Sequence, residues 1–214
     1  MRKSIIFAMV TLMAVSVIGC KKDSKYDLDV SGVYIKNDLS LVGTFVEPFN
    51  KSYYNATELK LMVEDEIKAY NKEKVNVEAV SEKDVKDSIN LPITLDDVAV
   101  KDKSAKVVIT YDSGEDYISF NESYVIGEKQ GTTLNVSLVS DAANSLEGKF
   151  VTEKGESVTI QDITKNGDYK LIYVDFGTTI KVEGKVCYIS TNVTVEDKDT
   201  VTTVDGEGSF IIFN

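Results

Sequence analysis

Residues 169–214 read YKLIYVDFGTTIKVEGKVCYISTNVTVEDKDTVTTVDGEGSFIIFN, and this stretch decides the fold class. Short runs rich in β-branched and aromatic residues recur in it, and turn residues separate them about every ten positions. Asp205-Gly206-Glu207-Gly208, for example, separates Thr200–Val204 from Phe210–Phe213. This spacing is typical of antiparallel strands joined by short turns, so we expect a sandwich or a small barrel.

Asn166-Gly167 gives the strongest hairpin signal in the chain. It lies between two strand-like runs, Val158–Ile163 and Tyr169–Val174. Both residues accept the positive φ of a type I′ turn, whose twist matches that of the strands it joins. The sequence therefore predicts a hairpin at this position.

One amphipathic helix stands out in the N-terminal half, from about residue 56 to residue 71. Asn55 can cap it, and Glu58 completes the pair of a capping box. Apolar side chains then follow on one stripe at spacings of three and four: Leu59, Met62, Val63, Ile67 and Tyr70. We expect this stripe to lie on a sheet.

Further elements surround this helix. The strand candidates are Gly32–Ile35, Leu39–Val46, Val75–Val80, Ile93–Val100 and Ala105–Tyr111. Ser113 caps a short helix that runs through Phe120, with Asp116 three residues after the cap. Strands and helices do not alternate as βαβ units, so we expect no doubly wound nucleotide-binding fold.

These elements predict an α+β fold with antiparallel sheets, one main amphipathic helix and a C-terminal half that is nearly all β. We divide the folded chain into an α+β unit at 31–126 and a β-rich unit at 127–214, because 127–131 is typical of a linker or an exposed loop. The two units can also form one continuous domain. A chain of this length buries a sizeable core without disulfide bonds.

The first 20 residues have the parts of a bacterial lipoprotein signal peptide. Arg2 and Lys3 give a positive start, and an uncharged apolar run follows at 5–18. This run is too short for an ordinary membrane span, which needs about 20 residues. It ends in Val17-Ile18-Gly19-Cys20, which resembles the lipobox of bacterial lipoproteins.

The resemblance implies how the protein is processed and held. In that family the cysteine thiol receives diacylglycerol, with acyl chains such as palmitate, and the peptide bond before it is cleaved. It implies that Cys20 is the lipid site, that Gly19–Cys20 is the cleaved bond, and that residues 21–30 are a short tether. Each methylene group that enters the bilayer contributes about 0.8 kcal/mol to the free energy of membrane binding, so two acyl chains hold a protein stably at a membrane. We therefore expect an exported protein, lipid-anchored to the cell membrane and facing outside the cytoplasm.

The mature chain is also similar to small, uncharacterised surface lipoproteins of Gram-positive anaerobes. The residues that carry this likeness are Tyr53-Tyr54-x₃-Glu58-Leu59-Lys60, Gly114-Glu115-Asp116-Tyr117-x₂-Phe120-Asn121 and the terminal strand. The resemblance implies the same surface location and no particular activity.

The balance of charges excludes one class of partner. The net charge is −11, and the 214 residues include no histidine. Cleavage before Cys20 removes Arg2 and Lys3 but no acidic residue, so the mature chain has a net charge of about −13. Nucleic-acid binding needs a basic patch, so we expect no nucleic-acid partner. The acidic body also does not suit an anionic bilayer, so the lipid must do the anchoring.

One stretch near the start of the mature chain mimics a calcium loop. Asp27-x-Asp29-x-Ser31-Gly32, with Asp38 at the twelfth position, places oxygen ligands as an EF-hand loop does. It departs from that pattern because Asp38 replaces a bidentate Glu and no helices flank the loop. The weak metal candidates are thus Asp27, Asp29, Ser31 and Asp38. The competing interpretation of this stretch is a tether that runs into a strand. We expect no metal and no other cofactor.

Catalytic machinery is hard to build from this composition. Without histidine there is no Ser-His-Asp triad and no His-ligated zinc. Cys187 has no imidazole to activate its thiol, and we expect it inside a strand, facing inward with Ile189. A two-carboxylate hydrolase of envelope or extracellular polysaccharide is an alternative, because glycosidases need only a pair of Asp or Glu.

Tyrosine is abundant, at 11 residues, whereas tryptophan is absent. Exposed tyrosines can stack on sugars or form a protein-binding patch. Tyr53, Tyr54 and Tyr117 are the weak binding candidates, because they lie where helices begin and are expected to be partly exposed. Ordinary packing beside a sheet is the competing interpretation.

The sequence therefore predicts a membrane-anchored bacterial envelope lipoprotein that acts as a non-enzymatic binding or structural module for a protein or a polysaccharide. The alternatives are the hydrolase and a small solute-binding lipoprotein, a class that usually has two α/β lobes around a cleft. The hydrolase predicts clustered buried carboxylates in a cleft. The binding module predicts an exposed aromatic or apolar patch.

Replacing the lipobox cysteine tests the anchor. Cys20→Ala should leave the precursor without lipid and uncleaved by the lipoprotein-specific route, because the thiol is the acceptor of the lipid. Metabolic labelling with a clickable fatty acid measures this. Label that persists on the Cys20→Ala protein would contradict the assignment of Cys20.

Overall fold

The computed structural model describes residue 26 and residues 28–75, 91–121 and 132–214. The predicted signal peptide, Asp27 and the loop at 127–131 lie outside the described residues. The same holds for the predicted strand Val75–Val80, except that Val75 is the last residue of a helix.

Seven strands form the first sheet: β1 (Gly32–Ile35), β2 (Leu41–Pro48), β3 (Ile93–Lys101), β4 (Ser104–Tyr111), β9 (Thr179–Val182), β11 (Thr194–Asp197) and β12 (Thr200–Thr202). Their spatial order is β11-β12-β9-β1-β2-β4-β3. Neighbours are antiparallel except β1 and β9, which are parallel. Strands from 31–126 and from 127–214 thus share this sheet.

Six strands form the second sheet: β5 (Leu134–Leu138), β6 (Phe150–Thr152), β7 (Ser157–Val158), β8 (Lys170–Val174), β10 (Val186–Ser190) and β13 (Ser209–Phe213). Their order is β5-β8-β13-β10-β6-β7, and all neighbours are antiparallel. The turn at Glu183-Gly184 and the predicted turn at 205–208 therefore carry the chain from the first sheet to the second.

Helices are few and mostly short in the described part of the chain. They are α1 (Ala56–Val75), α2 (Gly114–Asn121), α3 (Val139–Ala142), a 3-10 helix (Ala143–Ser145) and α4 (Ile160–Thr164). The predicted fold class is confirmed: the chain is α+β, with two antiparallel-rich sheets, one main helix and a C-terminal region that is nearly all strand.

The two sheets enclose the main core between them. One cluster of buried side chains includes Val33 and Ile109 of the first sheet and Ile172 and Phe213 of the second. A second cluster covers the other face of the second sheet, where α3 and α4 pack on Leu171, Phe210 and Ile212. Successive side chains of β8 and β13 thus pack alternately into one cluster and the other, because neighbouring residues of a strand point to opposite faces of its sheet.

The parallel pair of β1 and β9 depends on a glycine. Gly32 pairs with Thr179, and a Cβ atom on Gly32 would lie 2.6 Å from the backbone oxygen of Thr179. Real Cβ atoms do not approach that closely, so any side chain at this position would push the two strands apart. Gly32 is needed for close approach of backbones rather than for an unusual φ.

The main helix has the cap and most of the packing that the sequence predicts. The backbone N–H of Thr57 donates to Asn55 Oδ1 at 2.8 Å. Val63 and Ile67 are buried in the main core, whereas Met62 is 50% exposed. The prediction for Met62 is wrong because its position lies on the flank of the apolar stripe, away from the sheet.

A buried amide fastens this helix to the edge of the first sheet. Asn71 Nδ2 donates to the carbonyl oxygen of Ile93 at 2.8 Å, and Ile93 N–H donates to Asn71 Oδ1 at 3.1 Å. Tyr70 Oη donates to Asp116 of α2 at 3.0 Å. Because α1 packs along the edge strand β3 and α2 along the edge strand β5, the two helices close one side of the sandwich.

The predicted hairpin at Asn166-Gly167 is wrong. Residues 160–164 form α4 rather than a strand, because Thr159 and Asp162 make a capping box at its start. Gly167 is not among the glycines with positive φ, and Asn166-Gly167 leads from α4 into β8. A reciprocal cap has outweighed the turn preference of the Asn-Gly pair.

The folded part of the chain begins before Gly32, within the predicted tether. The ring centroid of Tyr26 lies 4.9 Å from that of Tyr34, and Lys36 Nζ lies 5.4 Å from the Tyr26 centroid. Leu28 is buried. Tyr26 and Leu28 thus pack on the outer face of the first sheet.

Truncating the buried stripe of α1 tests its docking. Ile67→Ala should lower the free energy of unfolding by about 2–5 kcal/mol, because Ile67 is only 7% exposed and its loss leaves a cavity. Met62→Ala on the same helix should change it by less than about 0.5 kcal/mol. Urea midpoints of the two variants measure the difference. Equal small losses would show that α1 is not docked.

Candidate functional site

Three aromatic side chains form an exposed cluster between β2 and α1. The ring centroids of Phe49 and Tyr54 are 4.8 Å apart, and those of Tyr53 and Tyr54 are 5.0 Å apart with the planes nearly perpendicular. Tyr53 is 74% exposed and Tyr54 is 42% exposed. We call Phe49, Tyr53 and Tyr54 the aromatic cluster.

The chain on both sides fixes the backbone of the aromatic cluster. Pro48 ends β2, and the backbone N–H of Phe49 donates to the carbonyl oxygen of Lys103 at 2.7 Å. Tyr54 N–H donates to Lys51 O at 3.1 Å, which closes a turn just before the Asn55 cap. The tyrosines therefore project from a short connection held at a hairpin and at a helix start.

Other exposed apolar side chains follow the aromatic cluster along α1. Leu61 and Met62 are 55% and 50% exposed and lie in the first two turns of the helix. Single exposed apolar side chains are common on folded proteins, so these two matter only because they follow the aromatic cluster directly in the chain. An aromatic group beside exposed aliphatic residues is the composition of a contact surface.

Tyr117 does not belong to this surface. It is 2% exposed, and its ring stacks on those of Phe45 and Phe176, at centroid distances of 6.3 and 6.4 Å. Burial raises the pKa of its hydroxyl well above the ordinary value. The expectation of an exposed Tyr117 is wrong, because the position four residues after the Ser113 cap faces the core.

The weak metal candidates do not share one place in the structure. Ser31 and Asp38 lie beyond opposite ends of the four-residue strand β1. A strand rises about 3.3 Å per residue, so the two side chains are too far apart to bind one ion. Asp38 Oδ1 accepts from Ser40 N–H and from Ser40 Oγ, which lowers the pKa of the Asp38 carboxyl. Asp29 is exposed. In the described residues no group of three or more His, Cys, Asp or Glu could hold a metal ion.

The described carboxylates are exposed or only partly buried, and several of them accept hydrogen bonds. None of the described Asp and Glu residues is buried. Asp162 has a pKa lowered to about 2, chiefly because its carboxylate accepts from Lys165. The Lys185 ammonium lowers the pKa of Glu153 in the same way. A general acid in a hydrolase needs the opposite, a carboxyl whose pKa is raised by burial.

Cys187 sits at an irregularity of β10. The pairing with β13 shifts register between Val186 and Tyr188, so Cys187 is the extra residue of a bulge. Val186 and Ile189 both enter the main core, whereas Cys187 is half-buried outside it. The predicted inward orientation of Cys187 is wrong, because the bulge breaks the simple alternation of faces.

The sequence finds the two tyrosines of the aromatic cluster but not Phe49. Tyr53 and Tyr54 stand directly before a capped helix, and the sequence predicts them to be partly exposed there. Phe49 directly follows Pro48, the last residue of β2. An aromatic residue just after a proline that ends a strand was the available signal in the sequence. Its contact with Tyr54 depends on the turn at Lys51.

Comparison with known proteins finds no match for this chain. No family model fits it, and no curated protein or solved structure is similar to it. Of the helices in the described residues, none is long and apolar enough to cross a bilayer.

The thiol of Cys187 should react slowly in the folded protein. Burial is the largest influence on its pKa and raises it, so less thiolate is present at neutral pH than for a free cysteine. The rate with a thiol reagent should rise with pH, reach half its maximum above the ordinary thiol pKa, and increase in denaturant. Stopped-flow absorbance measures the rate. Native reaction as fast as that of the unfolded chain would contradict this account.

Proposed function

We propose that this protein is a lipid-anchored envelope protein that acts as a non-enzymatic binding module and contacts its partner through the aromatic cluster. The observation that carries the proposal is the pair of exposed tyrosines, Tyr53 and Tyr54, held against each other and against Phe49. The lipobox supplies the argument for anchoring.

The aromatic cluster has the physical properties of a binding hot spot. Tyrosine buries a large area with few rotatable bonds, so little conformational entropy is lost when a partner covers it. The contact between the two rings orders them further before any partner arrives. Removing such an aromatic from an interface typically costs at least about 2 kcal/mol of binding free energy.

The attachment of the N-terminal segment supports a position close to the membrane. If Cys20 carries the lipid, only residues 21–25 separate it from Tyr26, which already packs on the first sheet. An extended chain spans about 3.3–3.6 Å per residue, so the body lies within roughly 20 Å of the bilayer surface. At this distance a component of the envelope, either a protein or a polysaccharide, is within reach as its partner.

The polar groups support binding rather than hydrolysis. The described carboxylates whose pKa values are shifted, those of Asp38, Glu153 and Asp162, are all lowered by hydrogen bonds. A carboxylate of lowered pKa is a poor proton donor at neutral pH. This favours the binding module over the two-carboxylate hydrolase.

Photo-crosslinking in the anchored, full-length protein tests the contact surface. A benzophenone side chain at Ser52, beside the exposed tyrosines, should trap a partner on irradiation of intact cells. Tyr53→Ala combined with Tyr54→Ala should reduce that product by more than about tenfold, because each 1.4 kcal/mol is a factor of ten. Gel mobility measures the product, and digestion by protease or glycosidase tells protein from polysaccharide.

Two matched controls accompany this experiment. Val204 is also an exposed apolar residue, at 45%, and Val204→Ala should leave the crosslinked product unchanged. A benzophenone at Glu207, in an exposed turn, should trap nothing specific. Equal products from positions 52 and 207, or a product that survives loss of both tyrosines, would show that the aromatic cluster is not the contact surface.

A further inference from the structure

The second sheet has a cleft of about 570 Å³ on the face that points away from the first sheet. Strands β5, β8 and β13 supply its floor, and Ala142, Ser145 and Glu147, on the segment that follows β5, supply one wall. No residue of the aromatic cluster lines it. Its volume lies within the range for small-molecule sites, about 300–1,000 Å³.

The strand register places the side chains of the floor on one face. Asn135 pairs with Tyr173, and Tyr173 pairs with Phe210, so the three residues form one row across β5, β8 and β13. Paired residues of neighbouring strands point to the same face of a sheet. Tyr173 and Phe210 pack in the cluster on this outward face, whereas Ile172 and Val174 enter the core between the sheets. The side chains of Asn135 and Tyr173 therefore border the same space.

An aromatic platform lies at the centre of this row. The ring centroids of Tyr173 and Phe210 are 5.0 Å apart, with the planes inclined by 53°. Phe210 is buried, whereas Tyr173 is half-buried and keeps part of its ring accessible. A Cβ atom on Gly208 would lie 2.9 Å from Tyr173 Oη, so the missing side chain leaves room for the ring beside the start of β13.

Polar side chains with unused capacity surround the platform. Asn135, Ser145 and Glu147 are exposed. No hydrogen bond or ion pair joins the side chain of Asn135 or Glu147 to another residue in the described part of the chain. Ser145 Oγ donates to the carbonyl oxygen of Ala142 at 2.7 Å, which leaves its lone pairs free to accept. An amide, a carboxylate and a hydroxyl together offer both donors and acceptors to a ligand.

We propose that this cleft binds a small uncharged sugar, whose C–H face packs on Tyr173 and whose hydroxyl groups bond to Asn135 and Glu147. The π face of an aromatic ring is negative and attracts the C–H groups of a sugar. Among the described residues that line the cleft, Glu147 is acidic and none is Lys or Arg, so an anionic sugar would meet a like charge. This site goes beyond the proposed function and does not depend on the aromatic cluster.

Saturation-transfer NMR on the full-length lipidated protein in nanodiscs tests the site, with empty nanodiscs as the blank. The probes are methyl β-D-glucopyranoside, methyl β-D-galactopyranoside and methyl α-D-mannopyranoside, each compared with the uronate of the same configuration. At least one neutral glycoside should receive saturation, mainly at the protons of one ring face, and its uronate at least about fivefold less. The absence of transfer to all three glycosides, or equal transfer to a glycoside and its uronate, would overturn the proposal.

Two exposed positions separate the roles of the polar groups. Asn135→Ala should weaken binding of the glycoside roughly fivefold, the loss expected for one hydrogen bond. Glu147→Gln removes the charge and should bring the uronate to within about twofold of the glycoside. The matched control is Glu156→Gln, an exposed carboxylate in the turn between β6 and β7, which should change neither quantity. Native affinity in Asn135→Ala, or native discrimination in Glu147→Gln, would contradict the assigned roles.

The aromatic platform has its own pair of variants. Tyr173→Phe keeps the ring and should retain the preference for one face of the sugar, whereas Tyr173→Leu should lose it together with most of the saturation. Circular dichroism shows whether each variant is folded, and the exposed positions 135 and 147 decide the matter if Tyr173→Leu does not fold. A folded Tyr173→Leu protein that binds the glycoside with native affinity would show that the ring is not the platform.

Discussion

The structure depends on the parallel pairing of β1 with β9. Without it, β1 to β4 would form one small sheet and β9, β11 and β12 another, each with an extra unpaired edge. The pairing requires Gly32, whose missing side chain lets the backbone of Thr179 approach. It joins segments more than a hundred residues apart, and its two strands contribute Val33, Ile35 and Ile180 to the core between the sheets.

The sequence was sufficient to predict the helix starts and turns that are fixed by residues close to each other in the chain. Asn55 caps α1, Ser113 caps α2, and the hairpin between β3 and β4 turns at Asp102 and Lys103, which both have positive φ. The parallel neighbour of β1 could not be predicted, since parallel pairing leaves no turn in the sequence to mark it. Two local rules also competed at residues 159–167. There the capping box determined the structure and the Asn-Gly preference did not.

The candidate functional residues also divide into those that neighbouring residues in the sequence indicate and those that only the folded structure reveals. The exposure of Tyr53 and Tyr54 follows from their place before a capped helix, so the sequence indicated them. Cys187 was misplaced because a bulge shifts the register of β10 by one residue, and a period of two predicts the wrong face after such a shift.

The packing of Tyr26 and Leu28 on the first sheet has a mechanical consequence. Any force on the N-terminus enters the fold at these residues and then at β1, the middle strand of seven. Load along β1 acts in shear on two ladders at once, those with β2 and β9, because their hydrogen bonds run across the strand. Bonds loaded in shear must break together rather than one after another. A chain tethered at this end therefore carries tension through a strand that is hydrogen-bonded on both sides.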